Sequence, residues 1–443
     1  MLATLTPAPS PAHDDAPRLT PAAATPERRE ARRSALVGNF VDQFDIFLPV
    51  IALGGVLSTS STIPDGLVFA ATLLGRPLGA FILGTLADRR GRARVSRGAL
   101  LGLSVCTGLM VTLPLHTSTW AVAALLALRF AAGFFLGGQY SAAIPRALAL
   151  TEPQRRGHLS GLVMAMSPLA NATIAAATMM LTASLGGAYT TWGWRLLFVV
   201  GALLPLILAL TARSAHAGPA GHSHSPHESD NRDPAAHDAT DDEEERVTGR
   251  VVAALFTLMT GLWLFTMMGV SVLTSSLRPH FSPHDVGLVM LVATAVSAPT
   301  MAAAGAVSTR VGRSRFFMAF GALACIAAPA AYLVAMHAAS SGSIVATTIA
   351  VATVQIVTVS AYGPVGAYLA EHFPESRRSR GYGSVYSASI VLPGLYPFWL
   401  PTVTQWLGRS AAVPLVLCVA GLLVTLAPAW IRGSNVGGYE KVS

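Results

Sequence analysis

Charge is what this sequence lacks. Of its 443 residues only 12% are Asp, Glu, Lys or Arg, about half the share of an ordinary soluble domain. With 52% hydrophobic residues and a mean hydropathy of +0.54, a soluble fold could not cover its surface with polar groups. That argues against soluble enzymes, nucleic-acid readers and disordered chains. Cysteine is scarce too. Cys106, Cys325 and Cys418 lie in separate apolar stretches without CxxC spacing, which argues against a disulfide framework or a zinc site and leaves buried thiols in helix cores. Period-two alternation is missing, and with it the signature of an outer-membrane barrel. Residues 1–33 have no apolar h-region and read as a disordered cytoplasmic tail rather than a cleaved signal peptide.

What is present is a series of long apolar stretches, each sufficient to cross a bilayer, which takes about 20 residues. Twelve spans are predicted, at 34–57, 63–87, 96–115, 119–149, 158–184, 194–212, 250–277, 284–308, 316–338, 343–371, 381–405 and 409–431. The fold class is therefore an all-α polytopic membrane protein with two six-helix bundles, 34–212 and 250–432. The polar stretch 213–249 reads as a flexible cytoplasmic linker between them. A second cytoplasmic tail is expected at 433–443.

Arginine sets the orientation. Arg89, Arg90, Arg92, Arg94 and Arg97 follow span 2, Arg155 and Arg156 follow span 4, Arg310, Arg313 and Arg315 follow span 8, and Arg377, Arg378 and Arg380 follow span 10. Loops on the other side are nearly free of them. The positive-inside rule puts both termini and the linker in the cytoplasm of a cell whose plasma (inner) membrane holds the chain. The formal charge of +8 is thus a topology signal, and no nucleic-acid partner is expected.

The halves echo each other. Gly84, Asp88, Arg89, Gly91, Arg92 and Arg94 after span 2 reappear at a constant offset as Gly305, Thr309, Arg310, Gly312, Arg313 and Arg315. Pro153 corresponds to Pro374, and each precedes arginines and a glycine (Gly157, Gly381). A six-helix repeat is a transporter signature, with the substrate site near mid-membrane between the halves.

The stretch GTLADRRGRARV (84–95) resembles the loop motif of the major facilitator superfamily, and RFAAGFFLGG (129–138) resembles its span 4 pattern. Within the superfamily, VDQFDIF (41–47), RPLGA (76–80), GGQYSAA (137–143) and the P-x3-R-x-R-G run ending at Gly381 resemble the metabolite:proton symporter family. The resemblance implies proton-coupled import of organic acids or zwitterionic osmolytes. That family usually has Glu-Trp-Tyr-Asp where Asp42-Gln43-Phe44-Asp45 stand here, and an acid at the position of Gln139.

Charges inside a bilayer are costly and mark function. Four are deep: Asp42 and Asp45 in span 1, Arg76 in span 2 and Arg129 in span 4. At 1.5 Å per residue the two acids lie roughly 12 and 17 Å from the start of span 1, and Arg129 roughly 15 Å from the outer end of span 4. Two acids and two bases at one depth can neutralise each other. The expected proton-coupling residues are Asp45 first and Asp42 second, each trading between a proton and an arginine; the alternative is a static pair holding spans 1, 2 and 4 together. Arg129 and Arg76 are the expected substrate ligands, joined by Tyr140, Gln139 and Asn171. Gly133 and Gly137, on the face of Arg129 and Tyr140, are expected to pack, and Gln139 is about 80° off that face. Asn39, Gln355, Tyr362 and Tyr386 are further candidate cavity hydrogen-bonders.

In the superfamily the loop after span 2 is a gate latch against span 11. Here it comprises Gly84, Asp88, Arg89, Gly91 and Arg92. An anion is favoured at a helix N-terminus, and Gly91 permits a tight turn. The linker carries five histidines and an acidic run, Asp241 to Glu245, without defined metal-ligand spacing.

The expected function is secondary active transport: proton-coupled import of a small organic acid or zwitterion by alternating access, by a monomer in the lipid bilayer, with no cofactor and no metal. The alternative is proton-coupled efflux of a drug or secondary metabolite. Drug antiporters of the superfamily usually carry G-P-x-x-G-G in span 5. Residues 165–177, AMSPLANATIAAA, keep Pro168 without those glycines, which favours import. No Ser/His/Asp arrangement or phosphate loop suggests an enzyme.

Overall fold

A computed structural model describes residues 26–53, 65–115, 119–211 and 249–432. Each of the twelve expected spans is helical, and no strand occurs among the described residues. Spans 1 to 6 are Pro26–Ala52, Asp65–Arg90, Arg92–Val111, Thr119–Ala149, Pro153–Leu185 and Trp194–Thr211. Span 7 runs as Gly249–Thr266, a π-helical segment Met267–Val272 and Leu273–Leu277. Spans 8 and 9 are Pro283–Val311 and Arg313–Ser340. Span 10 is Ile344–Val359, a 3₁₀ turn Ser360–Tyr362 and Val365–Glu371. Span 11 is broken into Arg378–Ala388, Val391–Gly394 and Tyr396–Leu407, and span 12 is Arg409–Arg432. Among the described residues, ten helices are long and apolar enough to cross a membrane by length and composition. Arg92, Arg94 and Arg97 lower the hydropathy of span 3, and Pro393 and Pro397 interrupt span 11. Residues 1–25, nearly all of the linker, and 433–443 lie outside the described residues.

Span 1 begins at Pro26, eight residues before the expected position 34. Proline suits a helix's first position, where its missing N–H costs nothing. The charges that read as tail are engaged: Arg28 donates to the Leu150 carbonyl at 2.8 Å and pairs with Glu152, while Arg146 faces Glu27 and Glu30.

The helices form two bundles. Spans 2 and 4, 3 and 4, and 3 and 6 pack together in the first, with span 1 against 4, 5 and 6. In the second, 9 packs on 12, 8 and 9 on 10, and 7 on 12. Two seams join the bundles: span 5 on span 8, and span 2 on span 11. The repeat read in the sequence is also conformational. Gly91 and Gly312 both have positive φ, 98° and 89°, which L side chains rarely adopt, and each turns the chain sharply into the next span. Large apolar side chains such as Leu323, Ile326, Val345 and Leu426 are exposed, as a lipid-facing surface requires.

Small residues let the backbones close in. A Cβ at Gly133 would meet the Thr72 carbonyl, and one at Gly137 the Arg76 carbonyl. Gly75 and Gly79 of span 2 make the reciprocal approach to Phe130 and Phe134. The break in span 10 is satisfied from across the seam: the Ser160 hydroxyl donates to the Gly363 carbonyl at 2.6 Å and accepts from the Ala367 N–H. Cys106 is buried as expected, but Cys325 and Cys418 are only half-buried. Their sulfurs stand 3.2 Å apart across spans 9 and 12, because Gly421 lets the span 12 backbone reach Cys325.

Gly133→Ala should force spans 2 and 4 apart and cost about 1–3 kcal/mol, the usual overpacking penalty. Thermal unfolding in detergent should show a lower midpoint. Gly98→Ala, where a Cβ meets nothing within 4 Å, should leave the midpoint unchanged or raise it.

Candidate functional site

The four deep charges form two buried ion pairs. The Arg76 Nη1 lies 3.1 Å from Asp42 Oδ1, and both terminal nitrogens of Arg76 also reach Asp42 Oδ2 at 3.3 Å. Arg129 Nη1 donates to Asp45 Oδ2 at 3.1 Å and to the Asp45 carbonyl at 2.9 Å. Thr107 donates to Asp45 Oδ1 at 2.6 Å. All four charged side chains are buried, where an unpaired charge would be far costlier than a paired one. Span 1 places Asp42 and Asp45 three residues apart, on one helix face. That face therefore grips span 2 through one pair and span 4 through the other.

The surroundings of the pairs differ. The Asp45–Arg129 pair is enclosed by its own bundle, with Arg129 against Met110 sulfur and the Phe198 ring. The Asp42–Arg76 pair faces the partner bundle. The Arg76 guanidinium sits 5.9 Å from the Tyr140 ring centroid, and Tyr140 stacks on Tyr386 of span 11 at 4.0 Å. The Gln43 amide nitrogen donates to Asp42 Oδ2 at 3.1 Å.

A cavity lies between the bundles, lined from spans 1, 5, 7, 8, 10 and 11. Four of its lining residues are aromatic: Phe47, Trp263, Tyr362 and Tyr386. Trp263 meets Tyr386 and Tyr362 edge to face, at 5.2 and 5.4 Å between centroids. Its indole N–H donates to the Tyr386 carbonyl, and Thr266 donates to the Tyr362 hydroxyl at 3.1 Å. Three lining residues are amides: Gln43, Asn171 and Gln355. Asn171 Oδ1 and Gln355 Nε2 are buried without a hydrogen-bond partner among the described residues. Among the described residues, no charged side chain lines the cavity. The irregular stretches of spans 7 and 10 border it, through Val270 and Tyr362, matching the rule that discontinuous helices build transport sites.

On the arginine-rich side the seam between spans 2 and 11 is latched. Asp88 accepts from the backbone N–H groups of Ser379 and Arg380, at 3.2 and 2.9 Å. These are free amides of the first turn of span 11, where a carboxylate is stabilised by hydrogen bonding and by the helix dipole. Arg92 adds a bond to Ser379 Oγ at 2.8 Å and one to the Glu375 carbonyl at 2.7 Å. Gly84 is needed for the approach: a Cβ there would sit 3.1 Å from the Arg380 Cα. Gly91 makes the turn that returns Arg92 toward Asp88. The second copy works differently. Thr309 packs against Gly157, and Arg313 pairs with Glu371 at 2.7 Å.

A family model described as the Major Facilitator Superfamily matches residues 35–278. The chain belongs to the major facilitator superfamily. It is 25% identical over 419 residues to the ectoine/proline transporter ProP of Corynebacterium glutamicum, covering 88% of this chain and 80% of that one. It is 27% identical over 430 residues to the glycine betaine/proline/ectoine/pipecolic acid transporter OusA of Dickeya dadantii, covering 90% and 82%. A solved structure of the proton:xylose symporter XylE superposes with a TM-score of 0.70 at 15% identity, over 93% of this chain and 96% of that one. The protein is a multi-pass membrane transporter and not an enzyme.

Of the sequence candidates in this superfamily member, Asn171, Gln355, Tyr362 and Tyr386 line the cavity. Arg76, Arg129, Tyr140 and Gln139 do not. Both arginines are committed to aspartates, and Tyr140 lies behind Tyr386. The Gln139 amide is buried against Gly38, with neither end hydrogen-bonded among the described residues. Asn39 lies just outside, donating to the Val163 carbonyl and to Ser167. In the latch, Arg89 is exposed and its side chain has no place in the contact. Sequence reasoning missed Gln43 and Trp263. Gln43 carried a signal, since it stands between two aspartates in an apolar run. Trp263 carried none that separates it from core.

Asp88→Ala removes the acceptor for two helix-terminal amides. The loss of such a cap costs about 1 kcal/mol, enough to move a two-state seam severalfold toward open. Spin labels at Arg90 and Arg377, in a background without the three cysteines, should report a longer distance population in Asp88→Ala. An unchanged distance distribution would show that the carboxylate does not hold the seam.

Proposed function

We propose that the protein is a proton-coupled symporter that imports a small zwitterion by alternating access of its two bundles. The observation that carries this reading is a neutral, aromatic- and amide-lined cavity set beside two buried carboxylate–arginine pairs. Aromatic faces attract a cationic nitrogen, most strongly once it is desolvated. The Gln355 amide nitrogen, a buried donor without a partner among the described residues, offers a hydrogen bond to the carboxylate end of such a molecule. A purely anionic substrate finds no cation in the cavity wall, and reaching Arg76 or Arg129 would mean breaking a buried ion pair. The substrates in the relatives' names, proline, betaine and ectoine, fit this division.

In this reading the arginine-rich side faces the cytoplasm and both termini lie there, under the positive-inside rule. The chain sits in the inner membrane, and residues 213–249 join bundles 34–212 and 250–432 as a linker. The proton is carried by Asp45 or Asp42. Each is neutralised by arginine when charged, and each would exchange that partner for a proton as the bundles rock. The latch at Asp88, with Gly84, Gly91 and Arg92, is the cytoplasmic gate.

Purified protein in liposomes with an imposed inward proton gradient tests this. Proline, glycine betaine and ectoine should accumulate, while citrate and benzoate should not. Asp45→Asn and Asp42→Asn should be compared in the same assay, and loss of gradient-driven accumulation in at least one is expected. Accumulation in both variants equal to wild type would remove the carboxylates from coupling. Trp263→Ala should weaken glycine betaine binding about tenfold, the scale of a desolvated cation–π contact. Competition binding measures it, and an unchanged affinity would take the aromatic wall out of recognition.

A further inference from the structure

Among the described residues, Gln43 is the cavity residue that is hydrogen-bonded to a buried aspartate. It lines the cavity, it is 4% exposed, and its amide nitrogen is bonded to Asp42 Oδ2. The arginine pair on the other aspartate has no such link. Asp45 is bonded by Arg129 and Thr107, and neither of those residues lines the cavity.

We propose that Gln43 is the positioning residue that couples substrate occupancy to protonation of Asp42. The inference rests on the symport reading above and names where the coupling is made.

Two carboxylates compete for one amide group, whose pull toward the substrate weakens its bond to Asp42. With the cavity empty of substrate, the Gln43 N–H group is spent on the Asp42 carboxylate, and a hydrogen bond to the charged form favours that form. A zwitterion in the cavity brings its own carboxylate within reach of the cavity wall. Gln43 then turns its N–H to the substrate. Its bond to Asp42 weakens while Arg76 stays, and a second carboxylate now stands nearby, so Asp42 binds a proton more readily. The proton comes from the aqueous phase to which the cavity is then open, adds to a carboxylate oxygen of Asp42 and converts it to the neutral acid. No other bond is made or broken. Linkage makes the effect reciprocal: a protonated Asp42 holds Gln43 less tightly and frees it for the substrate.

Other groups face this carboxylate. Arg76 of span 2 is its ion-pair partner. Tyr140 of span 4 lies over Arg76, and Tyr382 and Tyr386 of span 11 stack on Tyr140. On its own helix Asp45 is close, neutralised by Arg129. None of these except Tyr386 lines the cavity, and the Tyr386 hydroxyl is not bonded to Asp42 among the described contacts. Substrate therefore has one hydrogen-bonded route to the carboxylate.

The sign follows. The protonated protein binds substrate better, so affinity rises as pH falls through the titration of Asp42. A coupling of this kind spans about 5–150-fold, and a change on the order of tenfold is expected for glycine betaine.

The test is glycine betaine affinity as a function of pH, measured by scintillation proximity on the purified full-length protein. Wild type should show the tenfold rise toward low pH. Gln43→Met, which keeps the length and removes the amide, should bind more weakly, with a pH-independent affinity, and lose gradient-driven accumulation. Where that variant fails to fold, Gln43→Asn keeps the amide but draws it back by one methylene, and the slope should again flatten. A Gln43 variant with the full wild-type slope overturns the inference.

Asp42→Asn separates the two levels of the argument. If it flattens the slope while Gln43→Met does not, the proton site stands and Gln43 is not its link. If Asp45→Asn alone flattens the slope, symport stands, but the coupling runs through the other pair and this inference fails. If neither aspartate variant alters slope or accumulation, the symport reading itself fails.

Discussion

A charge taken into hydrocarbon must find an opposite charge or give up its ionised form, and span 1 of this transporter carries two. Their neutralisation dictates much of the rest. Asp42 and Asp45 sit on one face, three residues apart, so the arginines that answer them must come from two different helices. Span 2 supplies Arg76 and span 4 supplies Arg129. For both to reach, spans 2 and 4 must lie in close contact with each other, and the interleaved glycines at 75, 79, 133 and 137 provide that contact. The first bundle is thus organised around a charge requirement, and the second, which has no comparable deep pair, is organised around aromatic packing.

That division places the cavity wall. The first bundle contributes amides backed by charge, Gln43 above all. The second contributes Trp263, Tyr362 and Tyr386. Phe47 of the first bundle and Gln355 of the second also face the cavity, so each wall mixes aromatic and amide groups, with the larger aromatic share on the second.

Most of the architecture was legible in the sequence because a bilayer makes it so. Runs of apolar residues, arginine asymmetry and the repeated G-D/T-R-G-R loop are all imposed by the membrane or by the duplication. The four deep charges stood out for the same reason. What could not be read was helix rotation. It decides that Arg76 takes Asp42 and Arg129 takes Asp45, and it turns both arginines away from the cavity that they were expected to line. Gln139 was expected at the substrate and lies against Gly38 instead. The start of span 1 was misplaced because Glu27, Arg28 and Glu30 read as tail composition, and their partners Arg146 and Glu152 are more than a hundred residues away in the chain. Trp263 was invisible because an aromatic residue in an apolar span looks the same whether it faces core, lipid or a cavity.

The latch has a property that its residues do not advertise. Asp88 holds span 11 by two backbone amides rather than by any side chain. Every amino acid except proline supplies that group. Apart from Ser379, whose buried hydroxyl accepts from Arg92, the opening turn of span 11 can therefore change its side chains while the carboxylate keeps its grip. The carboxylate's share of the contact is specified on the span 2 side of the seam, in one acid and the glycine that lets it approach. A lock of this design tolerates more drift in one of its halves than in the other.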